Sequence, residues 1–97
     1  MRERELERHL VNAVRHSGGI VPKLISPGYD GMPDRIILLP GGRVAFVEVK
    51  AKERKPRPLQ LHRHEALRRL GFRVFVVDGA SQIGKILEVI QNEVHTT

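Results

Sequence analysis

The stretch of residues 33–50 constrains the fold of this chain more than any other part of the sequence. An apolar run at residues 36–39 is followed by Pro-Gly-Gly and then by a second, mainly apolar run at residues 43–50. Proline-glycine and glycine-glycine pairs mark reversals of the chain, so the pattern predicts a β-hairpin. Because successive strand side chains point to opposite faces, Glu48 and Lys50 share one face of the returning strand.

Asp34 stands at the start of the first hairpin strand, where an antiparallel return brings it close to Glu48 and Lys50. Two carboxylates at close range repel each other unless a cation or a proton lies between them. Carboxylate oxygens suit Mg²⁺ or Mn²⁺, and a lysine beside them supplies a positive charge or a general acid or base. The alternative is that Glu48 and Lys50 form a solvated strand edge. Glu48 stands between two valines and faces a second acid, which favours the metal site.

Length and composition limit the class of protein. The 97 residues predict one domain covering residues 1–97, whose core buries roughly 60–65% of the unfolded surface. The absence of cysteine excludes disulfides and thiolate metal sites. The apolar runs have the length of strands, which predicts no membrane span. The N-terminal sequence Met-Arg-Glu-Arg-Glu lacks the apolar region of a signal peptide, so a cytoplasmic location is expected.

The net charge of +6 is distributed unevenly along the chain. Residues 50–73 contain nine lysines and arginines and only two acids. A basic surface of this kind suits a polyanion, although a solubilising surface is the alternative. Tyr29, in a loop rich in proline and glycine, either stacks on a base or packs locally. Lys23 is a further candidate for contact with phosphate.

Hydrophobic periodicity predicts three helices. The first covers residues 2–17, has Leu6, Leu10 and Val14 on its apolar face, and ends before Gly18. The second begins at Pro58 and runs to about residue 70. Its predicted inward face consists of Leu59, Ala66, Leu67 and Leu70, and that of a third helix at residues 81–94 consists of Ile83, Ile86, Leu87, Ile90 and Val94.

Two further strands complete the predicted sheet. Residues 20–25 form a first strand, and Pro22 within it indicates the edge of the sheet. Residues 72–77 are an apolar run that predicts a buried fourth strand. The order is therefore αβββαβα, an α/β fold with a central mixed four-stranded sheet flanked by helices.

Several short motifs, taken in this order, resemble those of one protein family. Pro33-Asp34 followed by Glu48-Val49-Lys50 is similar to the signature of the PD-(D/E)XK nuclease superfamily, whose core also has the order αβββαβα. The likeness is fuller to one branch, the VRR-NUC (virus-type replication-repair nuclease) family in its short stand-alone form, and covers nearly the whole chain. The residues that carry it are Gly31-Met32-Pro33-Asp34-Arg35, Gly41-Gly42-Arg43, Phe46-Val47-Glu48-Val49-Lys50 and Lys55-Pro56-Arg57-Pro58-Leu59-Gln60.

The resemblance implies a set of metal ligands. Asp34, Glu48 and the Val49 carbonyl would hold one or two Mg²⁺ or Mn²⁺ ions. A glutamate of the first helix often adds a third carboxylate in this superfamily. Glu3 matches that position better, and Glu7 fits if the helix is shifted by one turn. An acid in the first turn of a helix also simply complements the helix dipole.

The resemblance also implies roles around the metal. Lys50 would orient or deprotonate the attacking water, or neutralise the phosphate. Gln60 resembles a glutamine that these nucleases place near the cleft, although an exposed helix glutamine is the alternative. His62 and His64 are two residues apart, the wrong helical spacing for a shared ligand pair, and are predicted to be surface residues. The candidate DNA-binding residues are Lys23, Tyr29, Lys52, Arg54, Lys55, Arg57 and Arg63.

The activity implied is Mg²⁺- or Mn²⁺-dependent hydrolysis of DNA phosphodiester bonds. No groove-reading motif is evident, so DNA structure rather than base sequence would be recognised. A branched junction needs paired nicks, which a symmetric homodimer would supply. Stand-alone members of the family are associated with Holliday-junction cleavage by dimers, so the resemblance makes Holliday-junction resolution the leading expectation. The family's viral and phage members suggest a phage or prophage source. The alternatives are cleavage of flaps or other branched DNA, a restriction-type nuclease with sequence preference, and a non-catalytic DNA-binding module.

Overall fold

The predicted hairpin forms the first two strands of the sheet. Strands β1 (Arg35–Leu39) and β2 (Arg43–Val49) pair antiparallel, with Leu39 opposite Arg43 across the turn. Gly41 and Gly42 in the turn have φ angles of +84° and +73°. This left-handed region is readily available to glycine and costly for other residues, which explains the Gly-Gly pair.

A parallel strand and three helices complete the fold of residues 1–92, the part of the chain that this computed structural model describes. Strand β3 (Arg73–Val77) pairs parallel with β2, giving a mixed three-stranded sheet of order β1-β2-β3. Helix α1 (Glu3–His16) precedes the hairpin, α2 (Pro58–Arg69) connects β2 to β3, and α3 (Ser81–Gln91) follows. The predicted helical residue Val94 and the tail at residues 95–97 lie outside the described residues. Among residues 1–92, none of the helices combines the length and hydropathy that crossing a membrane requires.

The two faces of the sheet are covered differently, following the alternation of strand side chains. Helices α1 and α3 cover one face, where Leu10, Val47 and Ile90 belong to the larger apolar core. Helix α2 covers the other, where Phe46 packs in a smaller apolar cluster. Glu48 is even-numbered like Phe46 and therefore faces α2 rather than the larger core. The first and third helices show the predicted apolar stripes; the buried members are Leu6, Leu10 and Val14 in α1 and Ile83, Ile86, Leu87 and Ile90 in α3.

The predicted strand at residues 20–25 is not a regular strand, so the sheet has three strands where four were expected. The segment runs antiparallel along the outer side of β1 and makes only isolated bridges, from Ile20 to Leu38 and from Lys23 to Arg35. The main-chain oxygen of Pro22 accepts from the N–H of Ile36 at 3.1 Å. Proline has no N–H to return that bond, so the ladder is broken at its centre.

The prediction of which α2 residues face the core was partly wrong. Leu59 and Leu70 are exposed, and Leu67 is buried. The other buried residues of this helix are polar, namely Gln60 and His64. The core-facing stripe of α2 therefore runs through Gln60, His64 and Leu67, at the spacing i, i+4 and i+7 of a helix face.

Candidate active site

Glu48 is a completely buried acid on the central strand. Its Oε2 atom accepts a hydrogen bond from Gln60 Nε2 at 3.0 Å and lies 3.4 Å from Lys50 Nζ. Its Oε1 atom has no hydrogen-bond partner among the described residues, and the nearest ionisable group is His64, whose Nε2 atom is 3.7 Å away. One carboxylate oxygen is therefore held by the protein and the other is left available.

Asp34 faces Glu48 across the hairpin. The strand register pairs Arg35 with Val47, so the preceding residue Asp34 falls opposite Glu48. The Oδ2 atom of Asp34 accepts from the main-chain N–H of Val49 at 3.2 Å. Asp34 is exposed, whereas Glu48 is buried. The sequence thus correctly predicted that these two acids and Lys50 meet at the end of the hairpin.

The electrostatics of this pair favour a shared cation. Burial is the main cause that raises the pKa of Glu48 to about 7. The adjacent carboxyl group of Asp34 and its negative charge add to the increase, while Lys50 opposes it. A proton or a cation is needed to make this arrangement favourable. The Glu48 oxygen that has no partner within residues 1–92, together with the adjacent carboxyl of Asp34, fits a hard divalent ion such as Mg²⁺ or Mn²⁺.

Two glutamates of α1 lie near Asp34, but each is held by another group. Glu3 Oε1 accepts from the main-chain N–H of Ala51 at 3.1 Å, just beyond the end of β2. Glu7 Oε2 is 3.0 Å from Arg35 Nη2, which compensates its charge. Both glutamates line a cleft of about 300 Å³ together with Asp34. Because its carboxylate lacks a cationic partner in this contact, Glu3 is the better candidate to complete a metal site.

The acids are not gathered into a preformed cage. Within residues 1–92, no group of three or more histidine, aspartate or glutamate side chains is arranged to hold a metal ion. The Asp34–Glu48 pair would therefore be completed by main-chain oxygens, by water, or by a glutamate that leaves its present partner. Val49 directly follows Glu48 in the chain, and its main-chain N–H donates to Asp34. The carbonyl of Val49 therefore lies close to the two acids.

Gln60 is an integral part of this site and not an exposed helix residue. Its side chain is buried and donates to Glu48, while its Oε1 atom accepts from the main-chain N–H of Arg57 at 2.9 Å. The second bond satisfies an N–H at the start of α2, where helices lack internal partners. Gln60 therefore connects the start of α2 to the buried acid.

His64 was predicted to be a surface residue, and this was wrong. It is completely buried, whereas His62 is exposed as expected. Burial, followed by the positive charge of Arg68, lowers the pKa of His64, although the charge of Asp34 opposes this. The available signal was the i, i+4 spacing from Gln60, which places both side chains on one helix face.

Most of the predicted DNA-binding residues are exposed. Tyr29 is 51% exposed, and the guanidinium of Arg63 lies 3.9 Å from the centre of its ring. Arg63 Nε also donates to the main-chain oxygen of Asp30 at 2.8 Å, so the pair fixes the loop against α2. The other predicted DNA-binding residues are all exposed, namely Lys23 beside β1 and Lys52, Arg54, Lys55 and Arg57 in the connection from β2 to α2.

The fold and the geometry of these residues define the class of protein. A hairpin that carries Asp34 opposite Glu48, with Lys50 two residues later and a crossover helix supplying Gln60, is the arrangement of the PD-(D/E)XK nuclease superfamily. The mixed sheet with helices on both faces agrees with this class.

Comparison with known proteins identifies the family. No protein-family model matches the chain. The protein named "Putative nuclease p44", from Acyrthosiphon pisum secondary endosymbiont phage 1, is 46% identical over 90 residues, which cover 93% of this chain and 96% of that protein. A solved structure of a VRR_NUC domain superposes with a TM-score of 0.83 at 39% identity, covering 89% of this chain and 94% of the other. This chain belongs to the VRR-NUC family.

Proposed function

We propose that this protein is a divalent-metal-dependent DNA endonuclease that recognises DNA structure. The observation that carries the proposal is the pair of Asp34 and Glu48. Glu48 is buried beside Lys50, and one of its oxygens has no hydrogen-bond partner within residues 1–92, an arrangement that a bound cation would stabilise. The phage relative is named as a nuclease, which supports the same chemistry.

The proposed metal ligands are Asp34, Glu48, the main-chain carbonyl of Val49 and Glu3. When bound, Mg²⁺ or Mn²⁺ supplies Lewis-acid stabilisation of the negative charge on the phosphate and lowers the pKa of water. The chain's own contribution is to hold the ligands in place. Glu48 is fixed by its strand and by Gln60, and Asp34 by its bond to the main chain of β2.

Lys50 and Gln60 are the proposed participants beside the metal. The ammonium of Lys50 lies 3.4 Å from Glu48 and is partly exposed, so it is able to contact both the acid and a phosphate. In this position the ammonium orients the attacking water or neutralises the phosphate, whereas taking a proton from that water would require the neutral amine form of Lys50. Gln60 bonds both Glu48 and the first turn of α2. It therefore fixes the position of the acid relative to the basic connection that precedes the helix.

The exposed basic residues are proposed to bind the DNA backbone. They lie in the connection that follows Lys50 along the chain, so a bound strand would pass near the two acids. Contacts of this kind are electrostatic and weaken steeply with salt. Tyr29 has exposed ring area beside Arg63, which suits stacking on an unpaired base at a branch or an end.

A four-way (Holliday) junction cut by a homodimer is the substrate and assembly we propose. Each chain carries a single Asp34–Glu48 pair, whereas resolving a junction requires two nicks placed symmetrically. A dimer with two-fold symmetry presents two such pairs to one junction.

Cleavage assays on defined DNA structures test this proposal. Labelled four-way junctions, flaps, single strands and duplexes are incubated with the protein in Mg²⁺, Mn²⁺ or EDTA, beside Asp34→Ala and Glu48→Ala. Paired symmetric nicks in the junction, lost in EDTA and in both variants, are the expected result. Preferential cutting of flaps would indicate the alternative branched substrate, and one fixed plasmid site a restriction-type enzyme. DNA binding without cleavage under any metal, unchanged in Glu48→Ala, would leave only a non-catalytic module.

A further inference from the structure

His64 carries a completely buried imidazole on the core-facing side of α2. Neither Nδ1 nor Nε2 has a hydrogen-bond partner among the described residues. Buried polar groups are nearly always paired, because leaving one unpaired forfeits its hydrogen bonds to water. An imidazole kept in such a position indicates a use that these contacts do not fulfil.

The position of His64 relative to Glu48 indicates what that use is. Gln60 and His64 are one helical turn apart, and each faces a different oxygen of the same carboxylate. Gln60 donates to Oε2, whereas His64 Nε2 lies 3.7 Å from Oε1. An N–H···O bond requires about 2.7–3.2 Å, so a shift of less than about 1 Å would close the contact. Hydrogen bonds in active sites are commonly long before the ligands bind.

We propose that His64 is a positioning residue for the candidate metal site, in which its Nε2–H donates to Glu48 Oε1 and, with Gln60, fixes the plane of that carboxylate. The inference rests on the proposed function, since it assigns Glu48 as a metal ligand. When α2 restrains both carboxylate oxygens, the Glu48 carboxylate cannot rotate. Its remaining lone pairs then stay oriented toward the candidate metal position. Such outer contacts to metal ligands typically contribute 10- to 100-fold in metal affinity or activity.

The surroundings explain why a histidine suits this role. Burial and the nearby charge of Arg68 disfavour the imidazolium form, so the ring is a neutral donor. A neutral N–H orients the carboxylate without adding positive charge next to the cation. Lysine at this position would bring a second ammonium beside Lys50 and compete with the metal.

Binding of Mn²⁺ in the absence of DNA tests the proposal. The affinity is measured by calorimetry, with unfolding curves for each protein, for wild type and for His64→Gln, His64→Leu, Leu67→Ala, Asp34→Ala and Glu48→Ala. Glutamine retains an N–H donor near the position of Nε2, whereas leucine fills the space without one. We expect His64→Leu to bind Mn²⁺ about 10- to 100-fold more weakly and His64→Gln to stay within about 3-fold of wild type. Leu67→Ala, one turn along the same buried face, controls for general loosening of α2.

The outcomes separate this inference from the proposed function. If wild type binds no Mn²⁺ and neither acid variant differs from it, the metal site itself is refuted, and the role of His64 with it. If the acid variants abolish binding but His64→Leu matches wild type, only the inference about His64 is overturned. The same holds if Leu67→Ala loses as much affinity as His64→Leu. Should His64→Leu not fold, His64→Asn replaces it, because its shorter amide ends near Nδ1 and should likewise fail to support Mn²⁺ binding.

The tautomer of His64 gives an independent readout. Imidazole ¹⁵N spectra of the metal-free protein, assigned by comparison with His64→Gln, distinguish the protonated nitrogen. A neutral ring protonated at Nε2 is expected. A ring protonated only at Nδ1 could not donate to Glu48 and would overturn the proposal.

Discussion

The side-chain amide of Gln60 donates to Glu48 Oε2 over 3.0 Å, while its oxygen accepts from the main-chain N–H of Arg57 over 2.9 Å. One side chain thus spans from the buried acid of the central strand to the first turn of α2. Arg57 ends the basic connection that begins after Lys50. The position of that connection relative to the acid is therefore set by a buried polar contact as well as by apolar packing.

Replacing Gln60 by leucine should destabilise the protein by about 1–3 kcal/mol, because it removes a donor to a buried carboxyl oxygen and leaves a main-chain N–H at the start of α2 without its acceptor. Chemical denaturation measures the change in unfolding free energy. Arg69→Ala, an exposed change on the same helix, should stay within about 0.5 kcal/mol of wild type. Equal stability of Gln60→Leu and wild type would contradict the structural role of the amide.

Lys50→Met should reduce the cleavage rate by about 10²–10⁴-fold, the range for a positioned acid, base or charge. Single-turnover kinetics at saturating metal measure this rate. The matched control is Lys52→Met, which removes an equal charge from an exposed residue two positions along. That variant should weaken DNA binding and leave the single-turnover rate of bound DNA nearly unchanged. Equal loss of rate in both variants would refute a specific role for Lys50.

The pKa of Glu48, about 7 against an ordinary 4.5, makes the stability of the metal-free protein depend on pH. The folded state binds this proton more tightly than the unfolded chain does. The stabilisation is complete below about pH 4.5 and is lost as the pH rises through about 7, by an amount on the order of 3 kcal/mol. The difference in unfolding free energy between Glu48→Gln and wild type, measured in EDTA, should therefore grow from pH 4.5 to pH 8. A constant difference would contradict the raised pKa.

Neutralising Lys52, Arg54 and Lys55 one at a time should weaken DNA binding without regard to sequence. Each lost phosphate contact should reduce the slope of log affinity against log salt concentration by about 1. Fluorescence anisotropy of a labelled junction in EDTA, at several salt concentrations, measures the slope. Arg15→Ala, on the exposed side of α1, is the control and should leave the slope unchanged.

Gly31→Ala should destabilise the protein more than Gly28→Ala does. Both glycines have positive φ angles, +87° and +77°, so both substitutions strain the backbone. At Gly31 an added Cβ would also lie 2.8 Å from Leu59 Cγ and 3.0 Å from the main-chain oxygen of Leu59, whereas at Gly28 the space is open. Thermal unfolding of the two variants measures the difference. Equal melting temperatures would show that the loop is free to move away from α2.

The hairpin and its acids were predictable because local rules determine them. The Pro-Gly-Gly turn fixes the reversal, and the two-residue period of a strand then decides that Glu48 and Lys50 share a face. Once the return is placed, the register brings Asp34 opposite Glu48. The apolar stripes of α1 and α3 were equally accessible, since their periodicity is carried by aliphatic residues.

The face of α2 was not predictable from hydrophobic periodicity, because its buried stripe is largely polar. Gln60 and His64 are buried next to an acid, and their burial depends on Glu48, which is 12 residues from Gln60 in the sequence. Leu59 and Leu70 supplied a misleading apolar signal from the exposed side of the helix. Local patterns do not contain such long-range polar contacts.

The break in backbone pairing at Pro22 has a consequence for how molecules of this protein meet one another. Residues 20–25, which precede β1 and run beside it, already use the main-chain groups of Leu38 and Ile36 on the outer edge of the sheet. Because Pro22 has no N–H, the main-chain hydrogen-bonding groups of this segment do not form a continuous row for a strand of another molecule. Edges of this kind resist the edge-to-edge strand pairing that leads to aggregation. The irregular segment therefore acts as a cover that keeps this side of the sheet from recruiting other chains.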